Sequence, residues 1–125
     1  MSASGQCLCG AIKVNISGDL PPGVACHCSQ CRKQSGHFWA SIHVPRSKVT
    51  IHEDGALTWY NASEFARRGF CINCGSMLFW DPADEDKISI SLGILEAPTG
   101  TKLAQHIFTE DKGDYYDLSD GLKQS

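Results

Sequence analysis

The sequence lacks a long hydrophobic run, a signal-peptide pattern and an excess of basic residues. No window of the 125 residues approaches the ~18 to 20 apolar residues that a helix needs to span a bilayer. The N-terminus "MSASGQCLCG" has neither the positive region nor the apolar stretch of a signal peptide. Eleven Lys and Arg against 14 Asp and Glu give a net charge of -3. We therefore expect a soluble, cytoplasmic protein that binds neither membranes nor nucleic acids.

Internal repeats, low-complexity tracts and linkers are also lacking, and the length suits one compact domain, residues 1–125. Apolar and polar residues alternate over residues 12–16 ("IKVNI") and 88–92 ("ISISL"). This period of two predicts strands with one face in water. The single helical segment follows Cys28, where Ser29 is a candidate cap for residues 30–34. The predicted fold class is all-β.

Further strand candidates are separated by turn-forming segments such as "SGDLPPG", "VPRS" and "EAPTG". They cover residues 38–44, 48–51, 57–60, 65–70, 77–80 and 105–108. The tail after Tyr116, "DLSDGLKQS", is polar, and we expect it to be loosely held.

Seven cysteines fall into two pairs and one triplet. An odd count, tight C-x-C and C-x-x-C spacing and no signal peptide favour metal thiolates in a reducing compartment. A disulfide framework and a catalytic redox dithiol are the alternatives.

The two cysteine pairs are each followed directly by glycine, in "CLCG" (Cys7 and Cys9) and "CINCG" (Cys71 and Cys74). Glycine suits a tight turn in which backbone N–H groups point at a thiolate and the next residue has positive φ. Two such turns commonly share one zinc ion. The four cysteines therefore predict a closed structural zinc site that joins distant parts of the chain.

The triplet in "CHCSQC" offers Cys26, Cys28 and Cys31 but no fourth cysteine. Three protein ligands with one exchangeable position are typical of catalytic zinc. The alternative is an inert site that His27 or His37 closes with an imidazole. His27 lies between two ligands and should point to the opposite face of an extended chain. An Fe–S cluster is a further alternative, although usual spacings need a fourth cysteine.

Four segments together resemble a known family. "GQCLCGAIKV", "CHCSQCRKQSG", "FCINCGSMLFW" and "HIFTEDKGDYYDLSDG" match, in order and spacing, the glutathione-dependent formaldehyde-activating enzymes, also called the centromere-protein-V family. The resemblance covers about residues 5–122. It implies the β-tent fold, in which short antiparallel sheets surround two zinc sites. It also implies the division of cysteines reached above, with two zinc ions per chain.

The resemblance further implies a carbon-sulfur lyase that adds glutathione reversibly to formaldehyde, giving S-(hydroxymethyl)glutathione. The expected ligand is therefore a small thiol or thiol adduct. A thiol has a pKa of about 8.5, and binding to zinc deprotonates it. Three thiolates give the zinc site a net charge of about -1, which favours holding a thiolate over polarising a carbonyl. We expect a monomer or homodimer.

Residues near the triplet are candidates for the rest of the site. His37 is a candidate proton shuttle, and Trp39 a candidate wall of the site. Arg32 is a candidate ligand for substrate carboxylates, although a solvated helix face would also explain it. Arg67 and Arg68 alternate along a predicted strand, so that at most one points into a pocket.

Two other classes of function compete with an enzyme. A non-catalytic zinc-binding interaction module with the same fold would have its fourth ligand position filled. A zinc-ribbon nucleic-acid binder is disfavoured by the negative net charge and by the lack of a clustered basic face.

Overall fold

A computed structural model describes residues 2–125, so that Met1 of the predicted domain 1–125 lies outside the described residues. Strands dominate the described part of the chain, with one short α-helix. The elements are β1 (Ser2–Gln6), β2 (Lys13–Ser17), β3 (Gly23–Cys26), α1 (Ser29–Ser35), β4 (Trp39–Pro45), β5 (Val49–His52), β6 (Leu57–Asn61), β7 (Ala66–Cys71), β8 (Met77–Pro82), β9 (Lys87–Ser91), β10 (Leu103–Ile107) and β11 (Lys123–Gln124).

The strands form two sheets, which confirms the all-β prediction. A three-stranded sheet has the order β1-β2-β5, and an eight-stranded sheet has the order β11-β10-β3-β4-β9-β8-β7-β6. Pairing is antiparallel except that β10 runs parallel to both β3 and β11. The large sheet therefore places β3 and β7, which both end in cysteine, in one continuous framework.

The hydrophobic core lies where the two sheets face each other. Val14 and Ile16 of β2 are buried while their neighbours in sequence are exposed, as the alternation predicts. They belong to one cluster with Ile42, Leu78 and Ile90 from the large sheet. Burying these side chains, at about 1.5 to 3 kcal/mol each relative to exposure, holds the small sheet against the large one.

Two strands and the C-terminal tail differ from the sequence-based expectation. The predicted strands omit β1, which consists of small polar residues, and β3, which follows two prolines. Both form because neighbouring strands supply hydrogen bonds that local propensity does not indicate. The tail is not loose, because β11 pairs with β10 and the Ser125 N–H donates to the His106 carbonyl at 3.0 Å.

Helix α1 begins one residue earlier than a Ser29 cap would require. Cys28 is the N-cap, and its Sγ accepts a hydrogen bond from the Cys31 N–H at 3.3 Å. The expected Ser29 cap is therefore wrong, because a thiol at the preceding position already fills the role of the capping side chain. Gly36 ends the helix with φ of 87°, in the left-handed region.

Gly69 in β7 lies beneath two stacked rings. Trp59 of β6 and Phe79 of β8 are its partners on either side, and their centroids are 6.1 Å apart. A Cβ at Gly69 would lie 2.9 Å from the Trp59 ring and 3.0 Å from the Phe79 ring. We expect Gly69→Ala to lower the free energy of unfolding by about 1–3 kcal/mol, measured by urea denaturation.

The matched control for Gly69→Ala is Gly93→Ala. A Cβ at Gly93 meets nothing within 4 Å, and the residue is not in the left-handed region. The free energy of unfolding should change by no more than about 0.5 kcal/mol. Equal effects of the two substitutions would contradict the packing argument.

Candidate metal centres and active site

Four cysteines from two distant turns meet in the first candidate metal centre. The sulfurs of Cys7, Cys9, Cys71 and Cys74 lie within 4.8 Å of one another. The Cys9 Sγ is 3.7 Å from the Cys7 Sγ and 3.7 Å from the Cys71 Sγ. A disulfide would need about 2.05 Å, whereas thiolates bound tetrahedrally at ~2.3 Å are about 3.8 Å apart. The four sulfurs therefore fit a metal ion.

The two turns have the geometry that the glycines predicted. Gly10 and Gly75 have φ of 82° and 79°. Their N–H groups donate to the carbonyls of Cys7 and Cys71, at 3.1 and 2.8 Å. The Ile12 N–H donates to the Cys7 Sγ at 3.3 Å. The glycine N–H groups thus close the two turns, and the Ile12 N–H favours the thiolate of Cys7.

Ser76 joins the two turns. Its hydroxyl lies 3.2 Å from the Cys74 Sγ and accepts a hydrogen bond from the Leu8 N–H at 3.0 Å. The hydroxyl and backbone N–H of Ser76 lower the pKa of the Cys74 thiol to about 5. The first metal centre therefore has a second layer of hydrogen bonds that orients its ligands.

The cysteine triplet forms the second candidate metal centre. Cys26 ends β3, Cys28 caps α1 and Cys31 lies in its first turn. Their sulfurs lie within 4.8 Å of one another. Across residues 2–125, no histidine, aspartate or glutamate joins this group. The second candidate centre therefore offers three protein ligands.

His27 points away from the triplet and is buried. Its Nε2 is 2.9 Å from His106 Nδ1, and its Nδ1 is 2.6 Å from the Tyr116 hydroxyl. His106 Nε2 in turn lies 2.8 Å from Asp120 Oδ2. Burial, and then the neighbouring His106, lower the pKa of His27. Both ring nitrogens of His27 are thus engaged in a buried chain that fixes the segment between two ligands.

The Tyr116 hydroxyl should contribute measurably to stability. Tyr116→Phe leaves His27 Nδ1 buried without its partner, which costs about 1–3 kcal/mol in the free energy of unfolding. Denaturant unfolding with the metal content held constant measures this difference. Tyr115→Phe is the control, because it removes a similar bond, 2.7 Å to His37 Nδ1, at an exposed position. The two variants should not be equally stable.

His37 follows the helix and is exposed. Its Nδ1 is hydrogen-bonded to the Tyr115 hydroxyl, and its ring packs 4.6 Å from that of Phe38. It is outside the three-cysteine group, so its expected role as a proton shuttle remains a prediction.

Arg32 and Trp39 flank the triplet in different ways. Arg32 lies on α1 and its Nε donates to the Asp111 carbonyl at 3.2 Å. Trp39 pairs with Cys26 across β3 and β4, and its Nε1 donates to the Ser91 hydroxyl at 2.6 Å. Trp39 therefore packs beside a ligand, while Arg32 holds a loop against the helix.

The paired arginines of β7 point to opposite faces, as alternation predicts. Arg67 is half exposed, lies 3.8 Å above the Trp59 ring and donates to Asp81 Oδ2 at 2.7 Å. Arg68 is only 4 % exposed. Its Nη1 and Nη2 each lie 3.5 Å from the Cys31 Sγ. Arg68 is therefore the arginine of the site.

Arg68 favours a negatively charged triplet. Its Nη2 also donates to Gln30 Oε1 at 3.4 Å, but its buried Nε has no hydrogen-bond partner among the described residues. A hydrogen bond with Cys26, and then those from Arg68, lower the pKa of Cys31 to about 6, against the effect of burial. A buried guanidinium beside Cys31 favours the thiolate of that residue, which is the form in which cysteine binds a metal.

A cavity of about 470 Å³ is lined in part by Arg68. This volume is within the usual range of small-molecule sites. Its lining mixes polar groups with apolar side chains, and Arg68 is its charged member: Gln34, Tyr60, Arg68, Gly69, Phe70, Gly75 and Met77. The cavity borders Arg68, which contacts the Cys31 sulfur, and Gly75, which follows Cys74 in the turn of the first candidate metal centre.

The family model described as glutathione-dependent formaldehyde-activating enzyme matches residues 2–111. The chain belongs to this family. A protein of Schizosaccharomyces pombe named as an uncharacterized lyase is 27% identical over 116 residues, which are 92% of this chain and 84% of that protein. The family and this relative both indicate an enzyme.

A crystal structure of a Rhodobacter sphaeroides protein shares the fold, with a TM-score of 0.64 at 23% identity. The match covers 75% of this chain and 88% of that chain. No helix within residues 2–125 is both long and apolar enough to cross a membrane.

Sequence reasoning did not identify the cavity. Neither Arg32 nor Trp39 lines it, while Gln34, Tyr60 and Met77 do. Alternation in β7 was the available signal, because it allowed at most one of the two arginines to point into a pocket. Which arginine, and beside which sulfur, depends on how β7 packs against α1.

Proposed function

We propose that this protein is a zinc-dependent carbon-sulfur lyase acting on a small thiol adduct, with glutathione and formaldehyde as the first pair to test. The observation that carries the proposal is the group of three cysteines without a fourth protein ligand among the described residues. Membership of the family supports the reaction class. Seven free cysteines fit a reducing compartment, which supports a cytoplasmic location.

The reaction joins the sulfur of a thiol to the carbon of formaldehyde. One C–S bond forms, the C=O bond becomes a C–O single bond, and the thiol proton ends on the new hydroxyl oxygen. A zinc ion held by Cys26, Cys28 and Cys31 would supply an exchangeable position that stabilises a thiolate. The reverse direction releases the aldehyde and returns the proton to sulfur.

The remaining roles fall to residues of this chain. The cavity beside Arg68 binds the body of the thiol, with Gln34 and Tyr60 as polar contacts and Met77 as an apolar one. His37, exposed beyond the end of α1, moves the proton between solvent and the hydroxyl oxygen. Trp39 packs beside Cys26 and limits the access of water.

The first metal centre has a separate, structural role in this proposal. Its four cysteines provide a full tetrahedral set, so that no position is left for substrate. A non-catalytic interaction module would need the triplet to be closed as well. His27 does not support that alternative, because both of its ring nitrogens have other partners.

Exchange NMR tests the reaction directly. Labelled formaldehyde and glutathione are mixed with the native protein, and the exchange rate between free and adduct signals is measured. We expect the rate to rise in proportion to protein concentration. The control is the same concentration of heat-denatured protein, which supplies the same seven thiols. Equal rates with native and denatured protein would contradict the glutathione and formaldehyde assignment.

A further inference from the structure

Arg68 is a buried cation with no carboxylate partner in the described part of the chain. None of the ion pairs formed among residues 2–125 includes it. Its hydrogen-bond partners among the described residues are the Cys31 Sγ and the neutral Gln30 amide, and its Nε has none there. An isolated buried charge is costly, so a compensating negative charge is expected beside it. The cysteine triplet is the group positioned to supply that charge.

We propose that Arg68 is a positioning residue that acts through the Cys31 sulfur, neutralising the three-cysteine site and so selecting a thiolate over a neutral fourth ligand. The inference rests on the proposed function, because it concerns the same site and specifies the charge of the ligand taken there.

The charge of the site supports this assignment. Three thiolates and a zinc ion carry a net charge of about -1. Without Arg68, binding a fourth thiolate would make the net charge about -2. Arg68 removes one unit of negative charge at 3.5 Å from a ligand sulfur, in a buried site where charges are poorly screened. Arg68 therefore lowers the free-energy cost of binding an anionic ligand, whereas it changes the affinity for a neutral ligand little.

The two hydrogen bonds to Cys31 act in the same direction. Both Nη atoms donate to one sulfur, which draws electron density away from the metal. The metal then retains more affinity for a further donor. The Arg68 side chain also lies over Trp39, 6.0 Å from the ring centroid, which holds the guanidinium in place.

The test compares two small ligands on the zinc-loaded protein at pH 8 by isothermal titration calorimetry. 2-Mercaptoethanol ionises only at its thiol, and imidazole is neutral at this pH. We expect Arg68→Gln to weaken binding of 2-mercaptoethanol about tenfold or more, since hydrogen bonds to charged groups have effects of this size. Imidazole binding should change by less than about threefold.

Arg67→Gln is the matched control. It removes the same charge from the neighbouring residue of β7, on the face that points away from the triplet. Neither ligand should bind more than about twofold differently. A loss of thiol affinity equal to that in Arg68→Gln would show that net charge, and not contact with Cys31, sets the preference, and would overturn the proposal.

Arg68→Lys keeps the charge of the side chain and changes its shape. It replaces Arg68→Gln in the test if that variant does not fold. Lysine keeps the positive charge but cannot donate two hydrogen bonds to the Cys31 Sγ from one planar group, so the ratio of thiol to imidazole affinity should fall by less than the tenfold expected for Arg68→Gln. A ratio that falls tenfold, or no thiol binding by the unsubstituted zinc-loaded protein, would overturn the proposal.

The exchange assay tests the proposed function, and the ratio of thiol to imidazole affinity tests the role of Arg68. Either result can be negative without the other. Faster exchange with an unchanged ratio in Arg68→Gln would keep the proposed function and reject the role of Arg68. A changed ratio without faster exchange would keep the role of Arg68 and reject the glutathione and formaldehyde pair.

Discussion

Cys71→Ser is expected to prevent folding. Cys71 is fully buried at the end of β7, and its sulfur is 3.7 Å from that of Cys9. Metal binding in sites of this kind contributes on the order of 10 to 16 kcal/mol. A small domain has a free energy of unfolding of only ~5 to 15 kcal/mol. Losing the metal at this centre would therefore remove a contribution comparable to the whole free energy of unfolding.

Circular dichroism and metal analysis measure this outcome. The variant should show no cooperative thermal transition and less than one metal ion per chain. Ile72→Ser is the control, because it alters the same turn at a side chain that is 60% exposed and should change stability by no more than about 0.5 kcal/mol. A folded Cys71→Ser protein with its full metal content would contradict a structural role for the four-cysteine centre.

The cysteine groups of the two candidate metal centres could be predicted from sequence because the geometry of each turn is local. In "CLCG" and "CINCG" the spacing of ligands and the glycine after them define a turn by themselves. The structure places both glycines at positive φ and brings the two turns together. That the two distant turns share one site was inferred from the four ligands that a tetrahedral metal takes.

The surroundings of the triplet could not be predicted because they depend on tertiary contacts. Arg68 is 37 residues from Cys31 in sequence, and His27 is 79 residues from His106. Strand β3 is short and follows two prolines, so its position as the third of eight strands in the large sheet depends on pairing with β4 and β10. These pairings decide what lies beside the sulfurs.

The attachment of the C-terminal tail likewise could not be predicted from the sequence. A polar C-terminal segment ordinarily indicates weak attachment. Here Asp120 accepts a hydrogen bond from the buried His106, and that bond lowers the pKa of the Asp120 carboxyl. The chain Tyr116, His27, His106 and Asp120 thus connects the tail to the segment that carries Cys26 and Cys28. No local pattern in the tail indicates such a partner.

Cys28→Ser is expected to remove one metal ion and the activity while keeping the fold. Serine is among the best helix N-caps, so its hydroxyl replaces the Cys28 sulfur as acceptor of the Cys31 N–H. It does not replace a thiolate ligand, since its hydroxyl stays protonated near neutral pH. The metal content should fall from two ions per chain to one, and formaldehyde exchange to the spontaneous rate.

The fold and the metal centre are measured separately in this variant. The free energy of unfolding of Cys28→Ser should differ by no more than about 1 kcal/mol from that of the unsubstituted protein with no metal at the triplet. Cys28→Ala should be less stable than Cys28→Ser by about 0.5–2 kcal/mol, because it loses the cap as well as the ligand. If Cys28→Ser instead unfolds as completely as Cys71→Ser, the triplet is a second structural centre. The open coordination position would then have no part in catalysis.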